Sequence, residues 1–329
     1  MDRRVFLAGL AGIAATAATG VAFGRRRGGG ALRVGVMANL THAPLLAGLG
    51  SGRIARALAP VPVESLVFRA GPRVTEALIG DAIDVGTSGP APAVIHHARH
   101  ASGASGGLRI LAGCASGGAS LVVTKRSGIT KAEDLHGKSL AVTQIGTTQD
   151  LALRSYLATH DLRDNIAGGD VRVVAIAGAT ILAQMKSGGL DGAWLPEPWA
   201  TRVVRELGAS RFVDERDLWS ERRFSTAVLV ARADRAADPR VKKLAIALDE
   251  EVARALRDPG TTRDEAYAEL GSRVGNPGKR ADFDAAWSYI DFTNDPVRSS
   301  VEELARRAKS LGLIASSAPT GTLFADLTT

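Results

Sequence analysis

A strand–helix alternation running through most of the chain, broken twice, constrains the fold more than any other feature. Leu32–Met37 (LRVGVM) is a short β-branched run, and Asn39–His42 leads from it into a helix through Pro44. Val61–Arg69 alternates as a strand, Gly71-Pro72 opens a helix ending near Gly80, and Ile83–Gly86 is again strand-like. Pro90–His100 reads as a helix and Arg109–Gly113 as a strand. The order repeats further on. Strands Ser139–Val142, Val171–Ala175, Gly192–Trp194 and Arg211–Val213 alternate with helices Thr148–His160, Thr180–Ser187 and Glu197–Leu207. Such βαβ alternation predicts α/β architecture, with parallel sheets covered by helices on both faces.

Two β-rich segments break the rhythm, Ser120–Thr124 (SLVVT) and Thr226–Ala231 (TAVLVA). After the second the chain reads as helix upon helix: Pro239–Arg257, Thr262–Val274, Arg280–Tyr289 and Val297–Leu311. The expected organisation is two-lobed. Residues 31–123 begin the first lobe, 124–226 form the second, and 227–329 complete the first and add C-terminal helices. Two strands crossing between the lobes form a hinge. Ligands of such sheets bind outside the carboxyl ends of strands, and here two sets of those ends face one cleft.

Residues 1–30 read as an address. Arg3-Arg4-Val5-Phe6-Leu7 resembles the twin-arginine export signature, with Val5–Phe23 as its apolar stretch. Cleavage candidates are Ala15-Thr16-Ala17 and Gly20-Val21-Ala22; the alternative is a retained anchor followed by Arg25–Arg27. Either places the body outside the cytoplasm, periplasmic or otherwise extracytoplasmic. The formal charge is +7, and five arginines against Asp2 in this segment account for four of it. The remaining surplus of three is spread thinly, which excludes a nucleic-acid partner. With 45% hydrophobic residues the chain is not disordered. Its one cysteine, Cys114, excludes a disulfide framework and reads as a small buried hydrophobe, although Leu111-Ala112-Gly113-Cys114 imitates a lipoprotein box.

Three loops after strands share a chemistry. Asn39-Leu40-Thr41-His42, Thr87-Ser88-Gly89-Pro90 and Gly146-Thr147-Thr148-Gln149 each set small hydroxyl or amide side chains before a helix. A helix N-terminus favours an anion, and such side chains add donors; the competing role is simple capping. Enzyme signatures fail. Gly137-Lys138-Ser139 lacks the first glycine of a P-loop, Gly48–Gly52 has Arg53 where the dinucleotide fingerprint needs glycine, and no G-x-S-x-G elbow occurs. His96, His97 and His100 read as a solvated helix end and not as a metal site. No metal and no cofactor is expected. The sharpest constellation is Trp194-Leu195-Pro196-Glu197-Pro198-Trp199. Trp194 or Trp199 can wall an apolar ligand tail or pack between lobes; Glu197 can accept from a ligand or latch the lobes.

At this point the residues resemble a family. Phe68-Arg69-Ala70-Gly71-Pro72 with Glu76-Ala77-Leu78, then Ile83 through Gly89, resemble the aliphatic-sulfonate, taurine and nitrate group of ABC-transporter solute-binding proteins. So do Ile129, Asp134 through Val142, the Gly146-Thr147-Thr148 loop, Leu190 through Trp194, Glu197-Pro198-Trp199 and Phe292 through Pro296. The resemblance covers residues 32–313. It implies a periplasmic-binding-protein-like (type II) fold and a monomeric receptor that closes on a small solute and presents it to a membrane permease with its ATPase. It also implies that Asn39–His42, Thr87–Gly89 and Gly146–Gln149 contact the ligand. Leu40-Thr41-His42-Ala43-Pro44 departs from the family's aromatic-rich first helix, so the family name transfers better than the sulfonate label. Nitrate, bicarbonate and a thiamine-pyrimidine-like solute stay open. Readings of other classes are a carbon–sulfur-cleaving enzyme, with Cys114 as its nucleophile, and a sensor ectodomain or lipid carrier.

Overall fold

The computed structural model describes residues 30–103 and 106–325. Apart from Gly30, the segment expected to be an export address lies outside the described residues. The chain begins with β1 (Leu32–Met37), α1 (Ala43–Gly50), α2 (Arg53–Leu58), β2 (Val63–Phe68), α3 (Gly71–Ile79), β3 (Val85–Ser88), α4 (Pro90–His100) and β4 (Leu108–Gly117). Next come β5 (Ala119–Val123), β6 (Ser139–Val142), α5 (Thr148–Thr159), β7 (Arg172–Ala175), α6 (Gly178–Ser187), β8 (Gly192–Pro196), α7 (Trp199–Leu207) and β9 (Ser210–Asp214). It finishes with β10 (Ser225–Arg232), α8 (Pro239–Arg257), α9 (Pro259–Val274), α10 (Arg280–Ala286), β11 (Ile290–Phe292) and α11 (Arg298–Ser310).

The strands make two sheets, ordered β11-β4-β10-β3-β1-β2 and β7-β6-β8-β5-β9. β1 pairs parallel with β2 and β3, and β6 pairs parallel with β7 and β8. Both sheets are buried on both faces, which is why their strands read as short continuous apolar runs. Leu32, Val34 and Val36 pack with Leu244 and Leu248 of α8 on one face of the larger sheet, while Ile83, Val94, Val228 and Leu304 fill the other. In the smaller sheet Leu121, Leu140 and Trp194 take one face, and Val122, Ala141 and Leu195 the other.

The chain passes twice between the sheets, but not where the β-rich segments suggested. β5 pairs with β8 and β9, so Ala119–Val123 belongs to the second sheet and not to the end of the first lobe. The handover is Gly117-Gly118, both left-handed at φ 73° and 71°. A side chain is strained in that conformation, and a Cβ on Gly117 would also meet the Tyr289 carbonyl at 2.9 Å. The return runs through residues 215–224, after which β10 lies wholly between β4 and β3. Burial on both faces leaves no alternation to tell one sheet from the other. The all-helical reading after residue 231 also missed β11, a three-residue strand antiparallel to β4.

The histidine group is corrected too. His97 is fully buried, its Nδ1 accepts the Leu108 N–H at 3.2 Å, and burial pushes it down to about 4. Cys114 is fully buried, as expected. No helix among the described residues is long and apolar enough to cross a membrane.

Candidate functional site

Six strands, three parallel ones in each sheet, each hand over at the carboxyl end to the start of a helix. β1 reaches α1 through the turn Leu40–His42; β2, β3, β6, β7 and β8 lead to α3, α4, α5, α6 and α7. All six junctions line one cavity of about 430 Å³. A helix start leaves backbone N–H groups unpaired and carries partial positive charge. α1, α3, α4, α6 and α7 have neither an acidic residue in the first turn nor a side-chain cap. Two of these starts are met by side chains from elsewhere: Glu197 accepts the Thr201 N–H of α7 at 3.1 Å, and Thr148 Oγ1 accepts the Ala91 N–H of α4 at 3.4 Å. Pro44, Pro72 and Pro90 remove a donor each from α1, α3 and α4.

α5 differs, because Thr147 Oγ1 accepts the Asp150 N–H at 3.3 Å. Asp150 in turn accepts the Gly146 N–H at 2.8 Å and binds Arg154 Nε at 2.9 Å. Its charge is thus met inside the protein. Arg69, Arg202 and Lys279 line the cavity against one carboxylate, Asp282. Arg202 and Lys279 share Glu206 at 2.9 and 3.4 Å, whereas Arg69 is exposed and makes no ion pair among the described residues. His42 is on the wall and neutral, since burial pushes its imidazole down to about 3. The charged side chains on the lining are mostly cationic.

Part of its lining is apolar, supplied by Trp199, Pro92, Pro196, Leu270, Val274 and Phe283. The Trp199 indole lies against Gly178, where a Cβ would stand 2.6 Å from the ring. Gly178→Ala is expected to push the indole off this wall at a cost of about 1–3 kcal/mol. A lowered melting temperature with changed tryptophan emission would show it; an unchanged protein would mean that α6 and α7 part freely.

Of the residues anticipated for the site, Asn39, Thr41, His42, Gly89, Thr147, Thr148 and Gln149 line the cavity. Thr148 Oγ1 also accepts the Ala91 N–H at 3.4 Å, joining the starts of α4 and α5. Thr87 and Ser88 are buried and are not on the wall; Ser88 Oγ donates to the Gly71 carbonyl at 3.2 Å. Gly146 is not on the wall either; it sits in the turn with φ +79°.

Trp194 and Glu197 are corrections. Trp194 is a core side chain whose Nε1 donates to Glu215 Oε2 at 2.7 Å. Glu197 is fully buried, pairs with Arg211 at 2.5 Å and accepts the Thr201 N–H at 3.1 Å. It is not on the cavity lining, and its partner Arg211 lies 3.6 Å over the Tyr289 ring. Reasoning from sequence missed Ala70, Gly71, Ala177 and Gly178, whose contribution is backbone N–H and whose side chains carry no signal. It also missed Asn276–Lys279, Asp282 and Phe283, brought in from the C-terminal helices.

The fold recurs in solved structures. The periplasmic aliphatic sulphonate binding protein SsuA from Escherichia coli superposes with a TM-score of 0.72 at 18% identity, covering 91% of this chain and 93% of that one. The alkanesulfonate-binding protein SsuA from Xanthomonas axonopodis pv. citri, bound to MOPS, gives 0.69 at 18% identity over 90% and 96%. The nitrate-binding protein NrtA from Synechocystis PCC 6803 gives 0.72 at 17% identity over 87% and 83%. These likenesses establish the periplasmic-binding-protein-like α/β fold. A search of curated proteins finds no match. The sequence profile of the NMT1-like family matches residues 29–267, well over half of the chain, and the protein is therefore a member of the NMT1-like family.

Proposed function

We propose that this protein is an exported, monomeric solute-binding protein of an ABC importer. It captures a small organic anion, with an aliphatic sulfonate favoured, between its two halves and delivers it to a permease. One observation carries the reading: six helix N-termini, none with an unpaired acidic residue in its first turn, converge on a cavity whose lining is partly apolar. Their N–H groups suit an anionic head, and Trp199 with its neighbours suits a short tail. The carbon–sulfur lyase reading loses its cysteine nucleophile, because Cys114 is buried in β4 and its thiol is pushed up to about 12 by burial. Closure on the solute shifts the open–closed balance that a permease would read.

The test is a thermal-shift panel of C2 to C8 alkanesulfonates, nitrate, bicarbonate and a hydroxymethylpyrimidine. A ligand at a thousand times its Kd adds roughly 4 kcal/mol, or several degrees. The expected result is a midpoint that rises with the alkanesulfonates, more so as the tail reaches the apolar wall. A rise with the neutral pyrimidine alone would sink the anion reading.

A further inference from the structure

The larger-sheet half reaches the smaller one along α10 and the chain just after it. Phe283 and Ala286 of α10 pack into the larger-sheet core, whereas α7 and β9 pack in the smaller-sheet half. Across this seam the Arg211 guanidinium lies 3.6 Å over the Tyr289 ring, and Arg205 Nε donates to Asp282 Oδ1 at 2.8 Å. Two further pairs, Lys279–Glu206 at 3.4 Å and Arg216–Asp291 at 3.9 Å, each have a partner that is more than 60% exposed and contribute little.

The two closer contacts are not alike. Arg211 is fixed within its own half, where it donates to Glu197, Thr201 and Ser120 at 2.5, 2.7 and 2.8 Å. Tyr289 meets it beside the handover between the sheets, since its neighbour Ile290 pairs with Gly117. A contact so near the pivot changes little when two halves part. Asp282 lies further along, in the first turn of α10, on the cavity lining. It is 4% exposed, and its Oδ2 is buried with no hydrogen-bond partner. The Arg205 side chain, by contrast, is 49% exposed. In the closed arrangement the carboxylate has therefore given up its water and the arginine has kept much of its own. A single bond from a half-exposed cation offsets only part of that desolvation, because the second oxygen finds no donor.

We propose that the Arg205–Asp282 pair sets the balance between closed and open cleft, with its two ends acting in opposite directions. Arg205 holds the halves together. Asp282, which regains water at both oxygens when α7 and α10 separate, drives them apart. The empty cleft is thereby kept near balance, so that the contacts of a solute decide it. The inference goes beyond the reading of the solute: it requires that the halves part, and no particular ligand.

Dipolar distance measurement on the ligand-free protein reads this balance. Nitroxides are placed on Arg73→Cys and Thr180→Cys, exposed positions in α3 and α6, whose starts line the cavity from opposite halves. Cys114 is buried and stays unlabelled. Into this background go Arg205→Gln, Asp282→Ala and the two together. Arg205→Gln leaves the buried carboxylate without its cation and is expected to raise the ratio of long to short distances about tenfold. Asp282→Ala lowers the ratio. It lowers it again when added to Arg205→Gln, so the sign is readable even where the wild type is almost wholly closed. Asp282→Asn, close in shape, is the safeguard against a misfolded alanine variant and moves the ratio the same way. The proposal is overturned if the Arg205 and Asp282 variants shift the ratio in the same direction, or if one distance persists in all of them.

Discussion

Arg154→Leu is expected to lower the stability of the protein by about 3–5 kcal/mol, seen as a melting temperature reduced by roughly 10 °C. Arg154 is 8% exposed and bridges two buried carboxylates, Asp150 at 2.9 Å and Asp164 at 2.5 Å. Removing the cation leaves both without a counter-charge in a medium that solvates them poorly, which costs far more than the ion pairs themselves contribute. The variant also reaches the site. Asp150 holds the Gly146 N–H and donates its own N–H to Thr147, and without Arg154 its carboxylate shares the site with that of Asp164 with no cation between them, which disturbs the start of α5. Weaker solute binding is therefore expected alongside the lost stability. A melting temperature within a degree or two of wild type would show that water reaches the trio and replaces the arginine.

Glu215→Gln is expected to remove a pH dependence that the wild type shows. Glu215 begins the return segment between β9 and β10, is fully buried, and accepts from Trp194 at 2.7 Å with its other oxygen unpartnered. Burial pushes its carboxyl from the ordinary 4.5 up to about 7. The folded protein thus holds this proton more tightly than the unfolded chain does. The stability it contributes is fully present below pH 4.5 and is lost as pH rises through about 7. At 1.36 kcal/mol per pH unit the loss across that window is about 3 kcal/mol. Gln keeps an acceptor for the Trp194 N–H and carries no charge. Denaturant unfolding of both proteins from pH 4.5 to 8 should give a smaller decline for Glu215→Gln and a more stable variant at pH 8. Parallel curves would mean that Glu215 is hydrated or paired at neutral pH.

Much of this protein is legible locally. β1, β6 and α8 lie where their residue patterns put them, since a short β-branched run and a 19-residue amphipathic stretch are properties of neighbours in sequence. Seven of the twelve anticipated site residues reach the cavity because the rule behind them, polar loops between a parallel strand and a helix, is topological. The same rule applied to every such junction would have found Ala70, Gly71, Ala177 and Gly178. Judging loops by hydroxyl content hid them, since a backbone N–H leaves no mark on residue choice.

Sequence alone determined that the chain is α/β, that small polar loops join strands to helices, and that Cys114 is buried. Periodicity, small-residue loops and composition record what adjacent residues need. Only the tertiary structure decided that Ala119–Val123 joins the second sheet, that Glu197 answers to Arg211 and Trp194 to Glu215, and that six helix starts face one cavity. It alone brought Asp282 to that wall, against an arginine 77 residues away in sequence. A charge or a strand buried on both faces is satisfied equally well, locally, by several partners. The choice among them is made by packing and desolvation once distant segments meet.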